Sequence, residues 1–542
     1  MSRRMKQPEW IVTSRALVIL LVIASGPSYA NAQSTIPQDN FQESGQDNAE
    51  ALRKIDQLVE QNLQLEKQNR ELIDQIKSLR QSLVTQPPRP RAARSETGTP
   101  APQGQITIPS ALPVMEGSGS DEGEGPSEPD ATVTDVGGKL APEHRKFGTY
   151  TPNFGFTVAD TDKGAMNISI FSYVRYLNQL NLAPTYTNAF GVTSTVQQRQ
   201  DFQLSKVQIK FLGWVLNPKF RYFLYAWTSN SNQGQGAQVV LAGNLNYEFN
   251  KHFIFSGGVT ALPGTRSVEG NFPFWLGEDS RHIADEYFRP SYTSGIFARG
   301  EITNKMRYQA MLGNNLSTLG VNAGQLPNYL STFSSALVWM PTTGEYGAGF
   351  GDFEQHEQLA IRLAIHFTRS RENKQAQPNT EAFQNTQLRL SDGSIIFTPN
   401  LFASGTTIND ATYKMMAFDG GVKLHGYEVW GEYFLRWLGD FNATSTVGLP
   451  RGLFDHGFQA QVSSMVVPKT FQLYAGGSTI FGQYGTPFDS RIGVNYFPWK
   501  NRVVRWNTEA LYLYRSPVGY SAVPFPVGGK GWVFHTNMEL AF

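Results

Sequence analysis

From Lys146 to its end, the chain is divided into short runs in which apolar and polar residues alternate. Alternation with a period of two is typical of β-strands with one apolar face, and runs of about ten residues suit strands that cross a membrane at a tilt. In the clearest run, residues 358–367, leucine, isoleucine and phenylalanine share one face while Arg362 and His366 share the other. The alternation predicts sixteen strands, at residues 166–180, 199–215, 219–228, 237–249, 252–260, 292–302, 306–314, 332–340, 356–368, 412–424, 427–437, 456–466, 471–481, 490–497, 502–514 and 532–542.

The joins between these runs are short and long in turn. The short joins are residues 216–218, 250–251, 303–305, 425–426, 467–470 and 498–501, and one join in this series, 341–355, is longer. The long joins include residues 181–198, 261–291, 315–331, 369–411 and 515–531. Short turns on one rim and long loops on the other are typical of outer-membrane barrels, whereas soluble sandwiches and propellers do not segregate their loops in this way. We therefore predict an all-β fold, a transmembrane antiparallel β-barrel of about 16 strands over residues 146–542.

The last run, 532–542, ends on a carboxy-terminal phenylalanine. Phe534, Met538 and Leu540 fall on one parity, and polar residues fall on the other. A final strand that pairs with the first strand leaves no open edge in lipid. The terminal Phe542 also resembles the signal by which bacterial outer-membrane barrels are recognised for assembly.

Residues 1–32 are predicted to be a secretory signal peptide, with basic residues, a short apolar core and a small-residue cleavage site at 30–32. The core is too short to span a bilayer, and no other segment reaches the roughly 18 consecutive apolar residues of a membrane helix. The chain has no cysteine, so disulfides hold nothing together. Its net charge of +1 argues against a nucleic-acid partner. We expect export to the bacterial outer membrane.

A heptad pattern runs from residue 48 to residue 84, with leucine at most d positions and asparagine at two a positions. Such a pattern is typical of a coiled coil, in which the asparagines fix the register at some cost in stability. The residues expected to mediate oligomerisation are Leu58, Asn62, Leu65, Asn69, Leu72, Ile76 and Leu79. The pattern predicts a periplasmic helix that self-associates and leaves dimer and trimer open. A Pro- and Gly-rich linker follows over residues 85–145.

Residues 257–302, the GEYF at 431–434 and Phe542 resemble the phosphate-selective porin O and P family. The resemblance covers roughly residues 147–542 and leaves out the coiled coil and the linker. It implies a sixteen-stranded, homotrimeric outer-membrane porin whose third long loop folds inward to narrow the pore. In this chain that loop is 261–291.

The basic residues on the pore side are candidates for contact with anions, because anion-selective pores use rings or ladders of Arg and Lys. From Lys146 onward the chain has 31 Lys and Arg against 26 Asp and Glu. The candidates are Arg175, Lys206, Lys210, Arg266, Arg281, Arg289, Arg299 and Arg362. The alternative for each is an ion pair on the pore wall or a charge at the rim. The loop also carries five carboxylates, so its charge does not by itself demand phosphate.

Sixteen strands enclose a water-filled channel, so the predicted function is passive diffusion of small hydrophilic solutes, with a preference for anions such as phosphate or similar oxyanions. The alternative is a general or sugar-type porin that also tethers the outer membrane to the envelope through its coiled coil. An enzyme is not expected: His356-Glu357 lacks the second histidine of a zinc helix, and there is no nucleophile elbow. We expect no cofactor and no metal, and outer-membrane lipid and small polar solutes as partners.

Overall fold

The computed structural model describes residues 147–151, 154–229, 238–268, 274–318, 321, 323–326, 329–375, 387–519 and 523–542. The predicted signal peptide, coiled coil and linker lie outside the described residues. No helix in the described ranges is long and apolar enough to cross a membrane.

The described chain is almost entirely antiparallel β-sheet. The strands are β1 (Tyr150–Thr151), β2 (Gly155–Thr161), β3 (Gly164–Leu182), β4 (Thr185–Thr187), β5 (Thr193–Thr195), β6 (Gln200–Val215), β7 (Asn217–Ser229), β8 (Gln238–Asn250), β9 (Phe253–Ala261), β10 (Tyr292–Thr303), β11 (Met306–Gly313), β12 (Thr332–Trp339), β13 (Ala360–Asn373), β14 (Ile408–Leu424), β15 (Tyr427–Ala443), β16 (Gly452–Val467), β17 (Phe471–Phe481), β18 (Phe488–Tyr496), β19 (Val504–Tyr514) and β20 (Lys530–Ala541). One short helix, α1 (Ile283–Phe288), lies between β9 and β10. The sixteen predicted strands correspond to β3 and to β6–β20, and the prediction is confirmed.

The barrel closes where its last strand meets its first. β20 pairs with β3 from Gly531 opposite Leu182 to Ala541 opposite Phe171. The backbone of Phe542 then exchanges two hydrogen bonds of 2.9 Å with Ile170. These bonds satisfy the polar backbone groups that a free edge would expose to lipid.

Two short strands near the amino end of the described chain were not predicted. β2 pairs with the first residues of β3, and β1 pairs with β2, so β3 is shared between β20 and β2. Gly155 has a φ of +75°, and a side chain there would collide with the carbonyl of Ile168. The alternation of β2 is too brief to stand out from a loop in the sequence.

The two faces of the barrel differ as the alternation predicts. On β20, the outward side chains of Phe534, Met538 and Leu540 are 43%, 54% and 39% exposed, whereas His535 and Glu539 on the lumen face are almost fully buried. The same division recurs around the sheet, with Phe, Leu, Val and Ile outside and Asn, Gln, Arg and carboxylates inside. A closed barrel pairs all the backbone polar groups of its strands, and an apolar exterior can face lipid. The barrel is therefore a transmembrane barrel.

The short joins meet at one rim and the long joins at the other, and we call these the short-turn rim and the long-loop rim. The predicted start of β13 at His356 is wrong, because the strand begins at Ala360 and His356 belongs to the preceding join. This join, residues 340–359, is the long exception on the short-turn rim. Most of its residues between 346 and 353 are buried, which places it inside the barrel.

Candidate functional site

The loop between β9 and β10 lies in the lumen. Its described residues, 262–268 and 274–291, are nearly all buried, and α1 packs against β15–β18. We call this stretch, 262–291, the long-rim loop, and residues 340–359 the short-rim segment. The loop lies between wall strands that carry charged side chains, and its contacts with those side chains hold it in place.

Arg266 anchors the first part of the loop to β15. Its backbone N–H donates to Glu432 at 3.2 Å, and its guanidinium lies 3.4 Å from Glu428. The same guanidinium donates to the carbonyl of Gly349 at 2.7 Å and stands 4.2 Å from the ring of Phe350. Since Gly349 and Phe350 belong to the short-rim segment, Arg266 joins the two inward segments.

The middle of the loop binds the wall near the barrel seam. Asp279 receives a 2.7 Å ion pair from Lys206 on β6 and a 2.7 Å hydrogen bond from Tyr173 on β3. Arg175 donates to the carbonyl of Glu278 at 2.6 Å. Burial opposes the charged form of Asp279, but Lys206 and Arg175 lower its pKa below the usual value. The carboxylate is therefore ionised and holds the loop against β3 and β6.

Beside it, Glu278 pairs with Arg505 on β19, which also pairs with Glu539 on β20. Burial is the largest influence on Glu278 and raises its pKa despite the nearby Arg505. Two carboxylates thus share one guanidinium in a dry site, where each contact is stronger than it would be in water.

Helix α1 is held by arginines on either side of it. Arg281 lies 2.9 Å from Glu286, and Arg289 lies 2.6 Å from the other oxygen of the same carboxylate. Burial opposes ionisation, but Arg289 and Arg281 lower the pKa of Glu286. The loop thus neutralises two of its own basic residues before any solute reaches them.

The wall completes the neutralisation of this part of the loop. His282 lies 2.8 Å from Asp489 on β18. Tyr287 donates to Asp455 at 3.1 Å, and Arg436 pairs with the same carboxylate at 2.7 Å. Charged groups of β15, β16 and β18 therefore pair with the loop or with each other.

The short-rim segment reaches the long-rim loop from the side of the short-turn rim. The N–H of Phe350 donates to the carbonyl of Phe274 at 2.8 Å. The guanidinium of Arg502 stands 4.7 Å from the ring of Phe274 and 4.9 Å from that of Phe353. Segments from opposite rims therefore meet inside the barrel through backbone, aromatic and guanidinium groups.

His356 stabilises the carboxyl-terminal end of the short-rim segment through contacts with carboxylates of the same segment. His356 lies 2.5 Å from Asp352, and the N–H of Gly426 in the β14–β15 turn donates to Asp352 at 2.7 Å. Burial opposes the imidazolium, but hydrogen bonds with Asp352 and Glu345 raise the pKa of His356 to about 9. His356 is therefore charged at neutral pH, and the segment is fastened to the neighbouring turn.

The structure places most of the eight predicted basic residues in ion pairs. Lys206, Arg266, Arg281, Arg289 and Arg362 each pair with a carboxylate; Arg362 lies 3.0 Å from Asp419. For Lys206, Arg266 and Arg362 the ion pair involves a wall residue, as in the alternative, whereas Arg281 and Arg289 pair with Glu286 within the loop. The predicted role of these five in anion contact is not tested by the structure.

The other three predicted residues differ. Arg175 is buried and binds Asn537 and the loop. Arg299 faces the lumen from β10, toward the short-turn rim, and is partly exposed. Lys210 is partly exposed on the lumen face of β6, and among the residues the structure describes it has no ion-pair partner. Lys210 is therefore the predicted candidate best placed to meet a solute.

Several wall charges that organise the site were not singled out in the sequence. These are Glu428, Glu432, Asp455, Asp489, Arg491, Arg505, Glu509 and Glu539. Each lies at a lumen position of its strand, so the alternation itself contained the signal. Which of them meet the loop depends on how strands far apart in sequence come together.

A group of His366, Asp419 and Glu432 brings its ligand atoms within 4.8 Å of one another. His366 lies 3.0 Å from the carbonyl of Pro263 and 2.8 Å from Asp419, so both ring nitrogens have partners within the protein. Arg362 occupies the other oxygen of Asp419. The three residues therefore take part in a network of hydrogen bonds and ion pairs.

Comparisons with known proteins concern the barrel. No protein-family model matches the chain, and no curated protein matches it. Among solved structures, OmpT of Vibrio cholerae, described as outer-membrane expressed, is 11% identical at a TM-score of 0.44, over 71% of this chain and 99% of that one. The outer-membrane channel DcaP of Acinetobacter baumannii is 8% identical at 0.42, over 71% and 99%. An anion-selective porin from Comamonas acidovorans is 8% identical at 0.42, over 70% and 100%. At sequence identities of 8–11% and TM-scores of 0.42–0.44, these similarities support no conclusion about a solute for this chain.

Proposed function

We propose that the chain is an outer-membrane porin through which small hydrophilic solutes diffuse passively, with the long-rim loop as its constriction. The observation that carries this proposal is the inner wall: a closed, apolar-faced barrel surrounds a polar lumen crossed by a folded loop. A barrel held together by a dry apolar core would not need so many charged residues facing inward. Because the loop and the short-rim segment bury most of that wall, we expect a small conductance.

The channel prefers anions in this proposal, with phosphate or similar oxyanions as the solute class. Support comes from inward cations that meet carbonyls or solvent instead of carboxylates. Lys423 donates to Gly349 at 3.2 Å and Arg389 donates to Gly393 at 2.6 Å, while Lys210 is accessible. A modest positive potential follows from these cations, since the remaining charges largely cancel.

Reversal potentials in planar bilayers under a KCl gradient test the preference. We expect a modest shift toward anions in the intact protein and a clear loss of that shift in Lys210→Glu. Lys163→Glu, at an exposed turn on the short-turn rim, is the matched control and should change the potential less. A strong cation preference in the intact protein would contradict the proposal.

A phosphate titration in the same bilayers separates a specific site from a general preference. If phosphate binds in the lumen, low phosphate should reduce the chloride current of the intact protein, and Lys210→Glu should weaken that block. If phosphate and chloride carry current in proportion to their mobility, the channel is a general one.

We further propose that the chain is a homotrimer that carries its coiled coil into the periplasm, after removal of residues 1–32. The heptad pattern of residues 48–84 supports self-association. Deleting these residues tests two roles at once. Lost envelope attachment with unchanged conductance favours a separate tether, and a shift from trimer to monomer on a native gel assigns assembly to the coil.

A further inference from the structure

The outward face of the barrel carries few charges, and they are not spread evenly. Among the described outward positions of the sixteen barrel strands, the charged side chains lie near the long-loop rim, at Arg369, Arg371, Asp410, Lys414 and Lys530. The exposed Asp440 lies beside them, at the bulge between Gly439 and Asn442 of β15. Three of the four basic residues lie on the adjacent strands β13 and β14. Most other outward strand positions are apolar, aromatic or small, and the larger polar residues among them include Asn178, Gln200 and His456.

Arg369 and Lys414 form a basic pair. They are direct partners across β13 and β14, and both are exposed. Like charges directly opposite each other on two strands destabilise the pairing, and neither has an ion-pair partner among the described residues. Asp410, an outward carboxylate on β14, accepts a hydrogen bond from Asn442 at 2.9 Å. An anion between the two side chains would remove the repulsion.

The residues on either side of this pair indicate where that anion would be. Phe333 faces Arg369 across β12 and β13, and Trp437 faces Lys414 across β14 and β15. The ring of Trp437 lies 5.4 Å from that of Phe454 on the next strand. Aromatic residues in such a row mark the level where the apolar band of a barrel ends and lipid headgroups begin.

One further basic residue extends the site toward the rim. Arg371 stands two residues beyond Arg369 on the same face and donates to Thr412 at 3.1 Å and to the carbonyl of Asp440 at 2.6 Å. These contacts hold its guanidinium over the β13–β14–β15 surface. A headgroup phosphate at the basic pair would therefore have a third cation above it.

We propose that Arg369 and Lys414 bind the phosphate of an anionic lipid headgroup in the leaflet at the long-loop rim, with its acyl chains against Phe333 and Trp437. An arginine fork suits two phosphate oxygens, and the lysine adds a point charge beside them. The inference rests on the proposed seat of the barrel in a membrane but not on the solute that the pore carries. It gives the outer face a function separate from that of the lumen.

Native mass spectrometry of the intact protein in neutral detergent tests the site, with didecanoyl phosphatidic acid as the probe. We expect bound lipid in the unmodified protein and binding weaker by at least about tenfold in R369Q/K414Q. The charge-preserving R369K/K414R should retain most of the binding. K530Q, which removes an exposed outward cation on β20, is the matched control and should bind as the unmodified protein does.

Three results would overturn the proposal: equal binding by R369Q/K414Q, equal binding of didecanoyl phosphatidylcholine, or displacement of the lipid by inorganic phosphate at a similar concentration. The last result would assign the pair to free phosphate. If the double variant does not fold, the single variants R369Q and K414Q provide the same comparison. Because both side chains point away from the lumen, R369Q/K414Q should conduct as the unmodified protein does, so failure of lipid binding is distinguishable from failure of the porin proposal.

Discussion

The long-rim loop and the short-rim segment enter the same lumen from opposite ends, but different contacts hold them. The loop is fixed by buried ion pairs to at least four wall strands, as at Asp279–Lys206 and Glu278–Arg505. The segment is held mainly by aromatic packing and backbone hydrogen bonds. Its charged contacts are the internal pairs of His356 with Asp352 and Glu345 and an exposed pair between Glu354 and Lys469. Buried ion pairs specify one arrangement because each unpaired charge is costly, whereas aromatic packing tolerates small shifts. We therefore expect the loop to be the rigid part of the proposed constriction and the segment to be the adjustable part.

Removing the rigid part should have the largest effect. When residues 265–289 are replaced by a short Gly-Ser turn, we expect the single-channel conductance to rise several-fold, because the described part of the loop lies within the lumen. Shortening the loop at residues 445–449, whose residues are mostly exposed, is the control and should leave the conductance unchanged. An unaltered conductance after removal of 265–289 would mean that another segment limits the current.

Arg266 is one of the links between the two parts, and its loss should have the next largest effect. Arg266→Ala leaves Glu428 buried without its partner, so we expect about 3–5 kcal/mol lower stability. Heat-modified migration in SDS gels measures the unfolding temperature, and bilayer recordings should show a noisier open current. Arg266→Lys keeps the charge but loses the fork that reaches both Glu428 and Gly349, and an intermediate result is expected. If Arg266→Ala has the stability and the open current of the unmodified protein, Arg266 does not couple the long-rim loop to the short-rim segment.

The sequence predicted the strands of the barrel better than the contacts between the inward segments and the wall. Strand number, facing and loop asymmetry follow from local alternation, and the structure confirms them at β13, where Leu363 and Ile365 face outward and Arg362 and His366 face the lumen. The pairing of loop and wall could not be predicted in the same way. Asp279 and Lys206 are 73 residues apart in the chain, and only closure of the barrel brings them together.

The unusual length of the short-rim segment is visible in the sequence, but its position inside the barrel could not be predicted from it. The segment is the longest join on the short-turn rim, but its local sequence does not indicate whether it extends away from the barrel or folds into the lumen. Its buried aromatics, Phe350 and Phe353, meet Arg266 of the long-rim loop and Arg502 of the β18–β19 turn. These partners are 84 and 149 residues away in the chain, and alternation does not encode which of them come together.

A smaller effect is expected from pH, and it should be confined to the adjustable part. The folded pKa of His356, about 9, lies above the roughly 6.5 of an unfolded histidine, so its contribution to stability is complete below about pH 6.5 and is lost as the pH rises through 9. Hydrogen exchange of residues 340–359 should therefore speed up between pH 7 and pH 10, after correction for intrinsic rates, while residues 275–289 stay protected. His356→Asn cannot titrate and should remove the pH dependence. Equal loosening of both stretches would contradict the division into rigid and adjustable parts.

The smallest effect should come from an ion pair at the surface of the same segment. Lys469 lies 2.7 Å from Glu354, but both side chains are substantially exposed, so water and salt screen their attraction. We expect Lys469→Ala to change the unfolding temperature by an amount equivalent to less than about 1 kcal/mol and to leave the conductance unchanged. Because Arg266→Ala and Lys469→Ala each remove one cation near the same segment, their difference isolates the contribution of burial. A large loss in Lys469→Ala would show that the short-rim segment depends on charge as much as the long-rim loop does.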